Sequence, residues 1–277
     1  MLTSSLNSGI NHYDTAPFYG KGISERLVGD ALRSIESYVL SSKVGRLLQP
    51  STTTENAMPF DVEFDYSYDG IMRSIEHSYQ RLGLAKIDII YAHDLGVHTH
   101  GNDAQKMTSQ FIEEGGYRAM DELRKAGDVT AIGLGVNEID ICLQAMEFGE
   151  FDIFLLAGRH TLLENTQSLE YLNRCLDSGI DVIIGGPFNS GMLVGGNTYN
   201  YRDIPNEKLS QYKILSTYCQ QHNVELGAAA LQYPLLHEAV KSVIPGPKTA
   251  QELNQILDWY ETEIPLEFWS GLQEATN

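Results

Sequence analysis

A repeating alternation of short apolar runs and amphipathic stretches constrains this chain more than any other feature. The runs cover residues 10–14, 38–43, 87–93, 131–136, 151–157, 180–186 and 240–245. Several are near-continuous Ile, Val and Leu, as expected of strands buried on both faces. Stretches 25–35, 68–82, 116–126, 166–177 and 208–222 carry helical periodicity between them. Alternating β and α with buried strands predicts a parallel sheet. No shift in composition marks a domain boundary, so a single domain over 1–277 is expected. The stretch 2–8 reads as a helix tail closed by Gly9, leaving no room for a strand ahead of it. Seven strands are therefore predicted, in an open sheet or in a barrel lacking its first strand.

Composition narrows the function. The 19 Lys and Arg face 37 Asp and Glu over 277 residues, a formal net charge of −18. Neutralising a phosphate backbone takes a basic footprint, so nucleic acid is excluded as a partner, and the same balance argues against anionic membranes. A length of 277 residues suits one α/β barrel of roughly 250 residues. The three cysteines, Cys142, Cys175 and Cys219, are scattered. They fit buried thiols in a reducing compartment. No basic leader and no apolar run of about 18 residues is seen, so a cytoplasmic protein is expected.

Two long loops are predicted, at 46–69 and 189–206. The first carries Pro50, Pro59 and three consecutive threonines; the second is rich in Gly, Asn and Tyr. Loops of this length usually bind or cover something.

Polar residues sit where the apolar runs stop. Asp14 ends the first run, Lys43 the second and His93 the third, and Tyr19 follows Asp14 in the loop DTAPFYG. In a parallel sheet all these ends lie on one rim. Each residue taken alone is more often a cap, a solvated cation or a structural imidazole. Their common position makes a site. Free tyrosine, with a pKa near 10, is a poor proton carrier at neutral pH. A neighbouring ammonium favours the phenolate, and a carboxylate would hold that ammonium. Tyr19 would then be a general acid or base towards an alcohol or carbonyl oxygen, with His93 donating a hydrogen bond to the same atom. The set contains no nucleophile and no metal cage, which suits hydride transfer with a bound cofactor.

These residues carry a family resemblance. GINHYDTAPFYGKGISERLVGDAL resembles the signature segment of the aldo-keto reductases, and IPGPKTAQEL resembles their cofactor segment after the last strand. The likeness runs from residue 9 to about 257. It implies a (β/α)8 TIM barrel, here lacking its first strand at the N-terminus. It also implies the roles above for Asp14, Tyr19, Lys43 and His93. LAGRHTLLEN, GGPFNSGML followed by TYNY, and AAALQYPLLHEAV are similar to the branch of D-threo-aldose 1-dehydrogenases and pyridoxal 4-dehydrogenases. That likeness implies oxidation of a cyclic hemiacetal to a lactone, with an aldose as the first expected substrate and pyridoxal as the alternative. A catalytically weak cofactor-binding barrel is the reading the missing strand would favour.

The resemblance also places the cofactor. Pro187, Phe188, Asn189, Ser190 and Gly191, with Gly246, Lys248 and Glu252, are expected to bind it. Many relatives hold the carboxamide with a Ser-Asn pair after the fifth strand and a Gln on the sixth. Here Gly135, Val136 and Ala157 stand in those places, so Asn137, with Arg159 or His160, is the substitute. Glu252 falls where NADP-preferring enzymes carry Arg. A carboxylate repels a 2′-phosphate, so NAD is expected over NADP. Phe18 and Phe60 are expected to line the substrate pocket. GLGVNE lacks the third glycine of a dinucleotide fingerprint. His98 and His100 read as surface residues rather than metal ligands, and no metal is expected. A monomer or homodimer acting on a small molecule is the expected assembly.

Overall fold

The computed structural model describes residues 2–52, 58–200 and 202–276. The threonines at 53 and 54 and the tyrosine at 201 lie outside the described residues. Internal packing divides the chain into two compact units, Leu2–Leu155 and Leu156–Asn277.

The first unit opens on a helix, Leu2–Leu6, and Gly9 stands in the left-handed region at φ 77°. Strands β1 (His12–Asp14) and β2 (Val39–Val44) follow. After them come β3 (Arg46–Pro50), β4 (Phe60–Phe64), β5 (Ile89–His93) and β6 (Ala131–Val136). β1, β2, β5 and β6 are neighbours in that order, all parallel, with Asp14 opposite Ser41, Lys43 opposite Tyr91 and His93 opposite Gly135. Every residue of β5 is buried, as the unbroken apolar run required.

Helix Tyr68–Leu82 shows why the intervening stretches are helical. Ser67 caps it by accepting from the Gly70 N–H, and left-handed Gly83 closes it. Its buried stripe of Ile71, Ser74, Ile75, Ser78 and Leu82 recurs at three- and four-residue spacing. Helix Ile23–Leu32 lies so close that a Cβ on Gly29 would fall 1.8 Å from the Leu82 carbonyl oxygen.

The stretch 46–69, expected as a loop, contains an antiparallel hairpin. β3 pairs with β4 so that Arg46 faces Phe64 and Pro50 faces Phe60. The residues Phe60-Asp-Val-Glu-Phe alternate with period two, a strand pattern that the flanking prolines and threonines obscured.

Strand β7 (Ile153–Ala157) begins in the first unit and ends in the second. At its start the Asp152 N–H donates to the Ile132 carbonyl at 3.0 Å; just past its end the Gly158 N–H donates to the Gly185 carbonyl at 2.8 Å. In the second unit β8 (Asp181–Gly185) and β9 (Val240–Ile244) are parallel neighbours with a register shift near Val182. Helices Ser168–Asp177, Asn206–Gln221, Leu226–Gln232 and Ala250–Glu261 belong to this unit. Its core packs Leu193, Leu215, Cys219, Leu231, Phe268 and Leu272. The seven predicted strands are thus all present. Cys142, Cys175 and Cys219 are free and buried. Among the described residues no helix is long and apolar enough to cross a membrane.

Candidate active site

β2 alternates its side chains across two environments. Ser41 and Lys43 face one way. Lys43, 1% exposed, donates to Asp14 Oδ2 at 2.5 Å and to the Thr15 carbonyl at 3.0 Å. Ser41 donates to the other Asp14 oxygen at 2.7 Å. Ser42 faces the opposite way and donates to Glu25, a buried carboxylate that also binds Arg81. Gly135 on β6 makes room for the lysine: a Cβ there would come within 3.3 Å of Lys43 Cε.

Burial opposes the Lys43 charge, but Asp14 and Tyr19 outweigh it and raise its pKa, so Lys43 remains an ammonium. That ammonium lies 4.7 Å from the centre of the Tyr19 ring. Burial of the phenol end raises the Tyr19 pKa above its ordinary value, and Lys43 pulls it back only in part. The simple expectation of a net depression therefore does not hold in the free protein, because desolvation of a phenolate outweighs one cation. Tyr19 is nonetheless 39% exposed as a residue, so one edge of the ring is open. The His93 ring meets Tyr19 edge-on at 6.0 Å and Phe18 edge-on at 6.3 Å. Burial holds the His93 pKa well below the usual histidine value, and Arg46 and Lys43 add to the effect. The imidazole is thus neutral and acts as a donor or acceptor rather than as a proton store.

The four residues predicted as catalytic stand together in the first unit. Phe18 joins them, 44% exposed. Phe60 stands at the far end of the hairpin, opposite Pro50, whereas Phe64 lies at its base with the Arg46 guanidinium 5.3 Å from its ring centre. Arg46 also stacks 4.6 Å from Phe18 and pairs with Asp94 at 2.5 Å. Arg46, Asp94 and Phe64 were not singled out from the sequence. Arg46 stands in the quoted SSKVGR and Asp94 directly follows His93, so adjacency to a motif residue was the available signal. His100, read as a surface residue, contacts Tyr66 Oη at 3.1 Å and packs on Phe64. No cluster of metal-ligating side chains occurs among the described residues.

Asn137, also in the first unit, donates to Asp94 Oδ1 at 3.1 Å. The other predicted cofactor residues lie in the second unit. Asn189, Ser190 and Gly191 are all left-handed, at φ 47°, 59° and 96°. Two consecutive non-glycine residues in that region store strain, which an observed outlier ties to function. The Asn189 side chain is 1% exposed, and its Oδ1 has no partner. Phe188 is buried and packs edge-on against Trp259. Gly246, at φ 69°, has open space where a Cβ would stand. It precedes helix Ala250–Glu261, which Thr249 caps. Glu252 accepts from the Lys248 N–H at 2.7 Å. His160 Nδ1 pairs with Ser168 Oγ at 2.7 Å. An open glycine ahead of a capped helix start suits a phosphate, and an orphaned amide oxygen suits a polar ligand group. These residues fit a nicotinamide dinucleotide.

Sequence comparison defines the class. The chain matches the Aldo/keto reductase family model over residues 1–277 and belongs to that family. It is an oxidoreductase of the aldo-keto reductase type with the (β/α)8 fold of the family, here with seven parallel strands among the described residues. It is 40% identical to a pyridoxal 4-dehydrogenase from Microbacterium luteolum, across 99% of this chain and 86% of that protein. It is 33% identical to a D-threo-aldose 1-dehydrogenase from a Pseudomonas species, with the same coverage. A solved holo aldo-keto reductase from Bacillus halodurans superimposes with a TM-score of 0.77 at 22% identity, covering 100% of this chain and 86% of that one.

Proposed function

We propose that this protein, acting as one domain over residues 1–277, oxidises a cyclic hemiacetal to a lactone. The observation that carries the reading is the buried Asp14–Lys43 pair beneath the Tyr19 ring, with neutral His93 beside it. His93 donates to the hemiacetal hydroxyl oxygen and orients it. Tyr19, as phenolate, takes the hydroxyl proton while the anomeric hydride leaves the same carbon. Lys43 stabilises the phenolate, and Asp14 keeps the ammonium in place. The nicotinamide, when bound, supplies the hydride acceptor.

The first reading takes an aldose as the hemiacetal. The similarity to an aldose dehydrogenase supports that substrate class. A second reading takes pyridoxal in its hemiacetal form. It is favoured by the exposed aromatic edges of Phe18, Tyr19 and Phe64, suited to a flat ring, and by the 40% identity to a pyridoxal dehydrogenase. We favour NAD over NADP, since a carboxylate at Glu252 opposes a 2′-phosphate.

The test has two stages. Fluorescence titration with NAD and NADP comes first, and a chain that binds neither cannot have this activity. Cofactor reduction with L-fucose, D-arabinose, L-galactose and pyridoxal comes second. Turnover of an aldose alone supports the first reading, and turnover of pyridoxal alone supports the second. Turnover of none overturns both.

A further inference from the structure

Asp94 is placed to capture His93 but does not. Its Oδ2 stands 3.6 Å from His93 Nε2, beyond a normal hydrogen bond. The same Oδ2 is 2.5 Å from Arg46 Nη2, and Oδ1 is 3.1 Å from Asn137 Nδ2. Both carboxylate oxygens are therefore engaged by partners other than the imidazole. The backbone fixes this arrangement. Asp94 is left-handed at φ 51°, and its N–H donates to the Gly135 carbonyl at 2.9 Å. Arg46 is in turn wedged between Phe18 and Phe64, so it cannot follow Asp94 towards the histidine.

We propose that Arg46 and Asn137 are positioning residues that saturate Asp94 and keep its carboxylate off His93, so that Nε2 stays available to donate to the substrate oxygen. The inference rests on the catalytic role given to His93 above. A free carboxylate beside His93 would form an aspartate–imidazolium pair. The Nε2 proton would then turn to Asp94, and the imidazole would gain a charge. The groups facing His93 are few. Lys43 comes from β2, Arg46 from β3 and Tyr19 from the turn after β1. Asp94 comes from its own segment, and Tyr66, itself paired with His100, binds the His93 carbonyl. The two cations disfavour imidazolium, Tyr19 and Tyr66 are uncharged, Asp14 is tied to Lys43, and Asp94 is the carboxylate 3.6 Å from Nε2 that would favour it.

NMR of the imidazole nitrogens reads this directly, with His93 assigned by its loss in His93→Gln. In the wild-type enzyme His93 is expected to carry its proton on Nε2 and not to titrate between about pH 5 and pH 9, a window around the ordinary histidine value. A proton on Nδ1 in the unmodified enzyme overturns the proposal, and this measurement needs no variant. In Arg46→Met, His93 is expected to titrate with a midpoint at or above about 6.5. Its kcat should fall about 10- to 100-fold with KM little changed, as for loss of one oriented donor. Adding Asp94→Asn removes the freed carboxylate, so the double variant should lose the titration and recover part of kcat. A His93 that stays silent in Arg46→Met, or still titrates in the double variant, overturns the proposal alone. If His93 titrates as expected while Arg46→Met and His93→Gln both keep full kcat, the catalytic reading of His93 fails instead.

Discussion

Lys43 and Asn189 are both buried polar residues, and they are held by different means. Side chains fix Lys43: Asp14 binds its ammonium, Ser41 binds Asp14, and Gly135 leaves space for its stem. Backbone fixes Asn189. Its N–H reaches the Gly186 carbonyl, Gly191 and Leu193 turn back to the Phe188 carbonyl, and Thr198 ties down the Ser190 carbonyl. The strand-end cluster depends on which residues are present, while the second-unit segment depends on the shape the chain takes. Substitutions in the first region should change chemistry and charge balance. Those in the second should change strain and ligand preference.

The largest effect is expected at Tyr19. Tyr19→Phe removes the proton carrier and should lower kcat about 10²- to 10⁴-fold, measured by steady-state cofactor reduction. The pH dependence has a definite sign. Oxidation needs the phenolate, which exists above the Tyr19 pKa, and burial raises that pKa. The wild-type rate should therefore climb through the alkaline range, and a rate that plateaus near neutrality would break the assignment.

Lys43→Met leaves the Asp14 carboxylate buried without its cation. Losing one partner of such a pair costs about 3–5 kcal/mol, to be read from urea unfolding. If stability is unchanged, the side-chain scaffold of the first region is not what holds it.

His160 sharpens the contrast from the second unit. Burial, with a smaller contribution from His237, lowers its pKa from 6.5 to about 4. The unfolded chain binds a proton there before the folded one does. Stability is thus full above about 6.5 and falls as pH drops towards 4. The size is roughly 3 kcal/mol for this group. His160→Gln should flatten that part of the curve, as followed by thermal unfolding across this range.

Smaller effects separate backbone from side chain in the Asn189 segment. Gly191→Ala forces a Cβ into a left-handed position and should cost roughly 1–2 kcal/mol. Ser190→Gly should be neutral or stabilising by up to about 1 kcal/mol. Equal losses at both sites would show that side-chain contacts, not φ, govern the turn. Glu252→Gln should raise kcat/KM with NADP relative to NAD by about tenfold, roughly 1.4 kcal/mol. No change would mean that the carboxylate acts only on the Lys248 N–H it already binds.

Much of this was legible in the residues. Strands β5 and β7 announced themselves most clearly, because strands buried on both faces read as near-continuous apolar runs. Helix Tyr68–Leu82 was readable to its ends because its cap and its closing glycine are local signals. Asp14, Lys43 and His93 were findable because polar residues interrupt apolar runs where strands end. The β3–β4 hairpin was missed because its strands are polar and half exposed, so no apolar run marked them. Arg46 and Asp94 were missed because their importance lies in each other, 48 residues apart.

The sequence by itself determined the parallel α/β class and the position of Asp14, Lys43 and His93 at strand ends, with Tyr19 close behind. Those follow from periodicity and residue type, which are properties of the chain alone. Only the tertiary structure decided that Tyr19 is raised rather than lowered, that His93 is neutral, that Phe64 rather than Phe60 meets Arg46, and that Asp94 is held away from His93. Each of these depends on burial and on distances of a few ångströms between distant segments, where desolvation and Coulomb interaction change steeply. No local pattern encodes such distances.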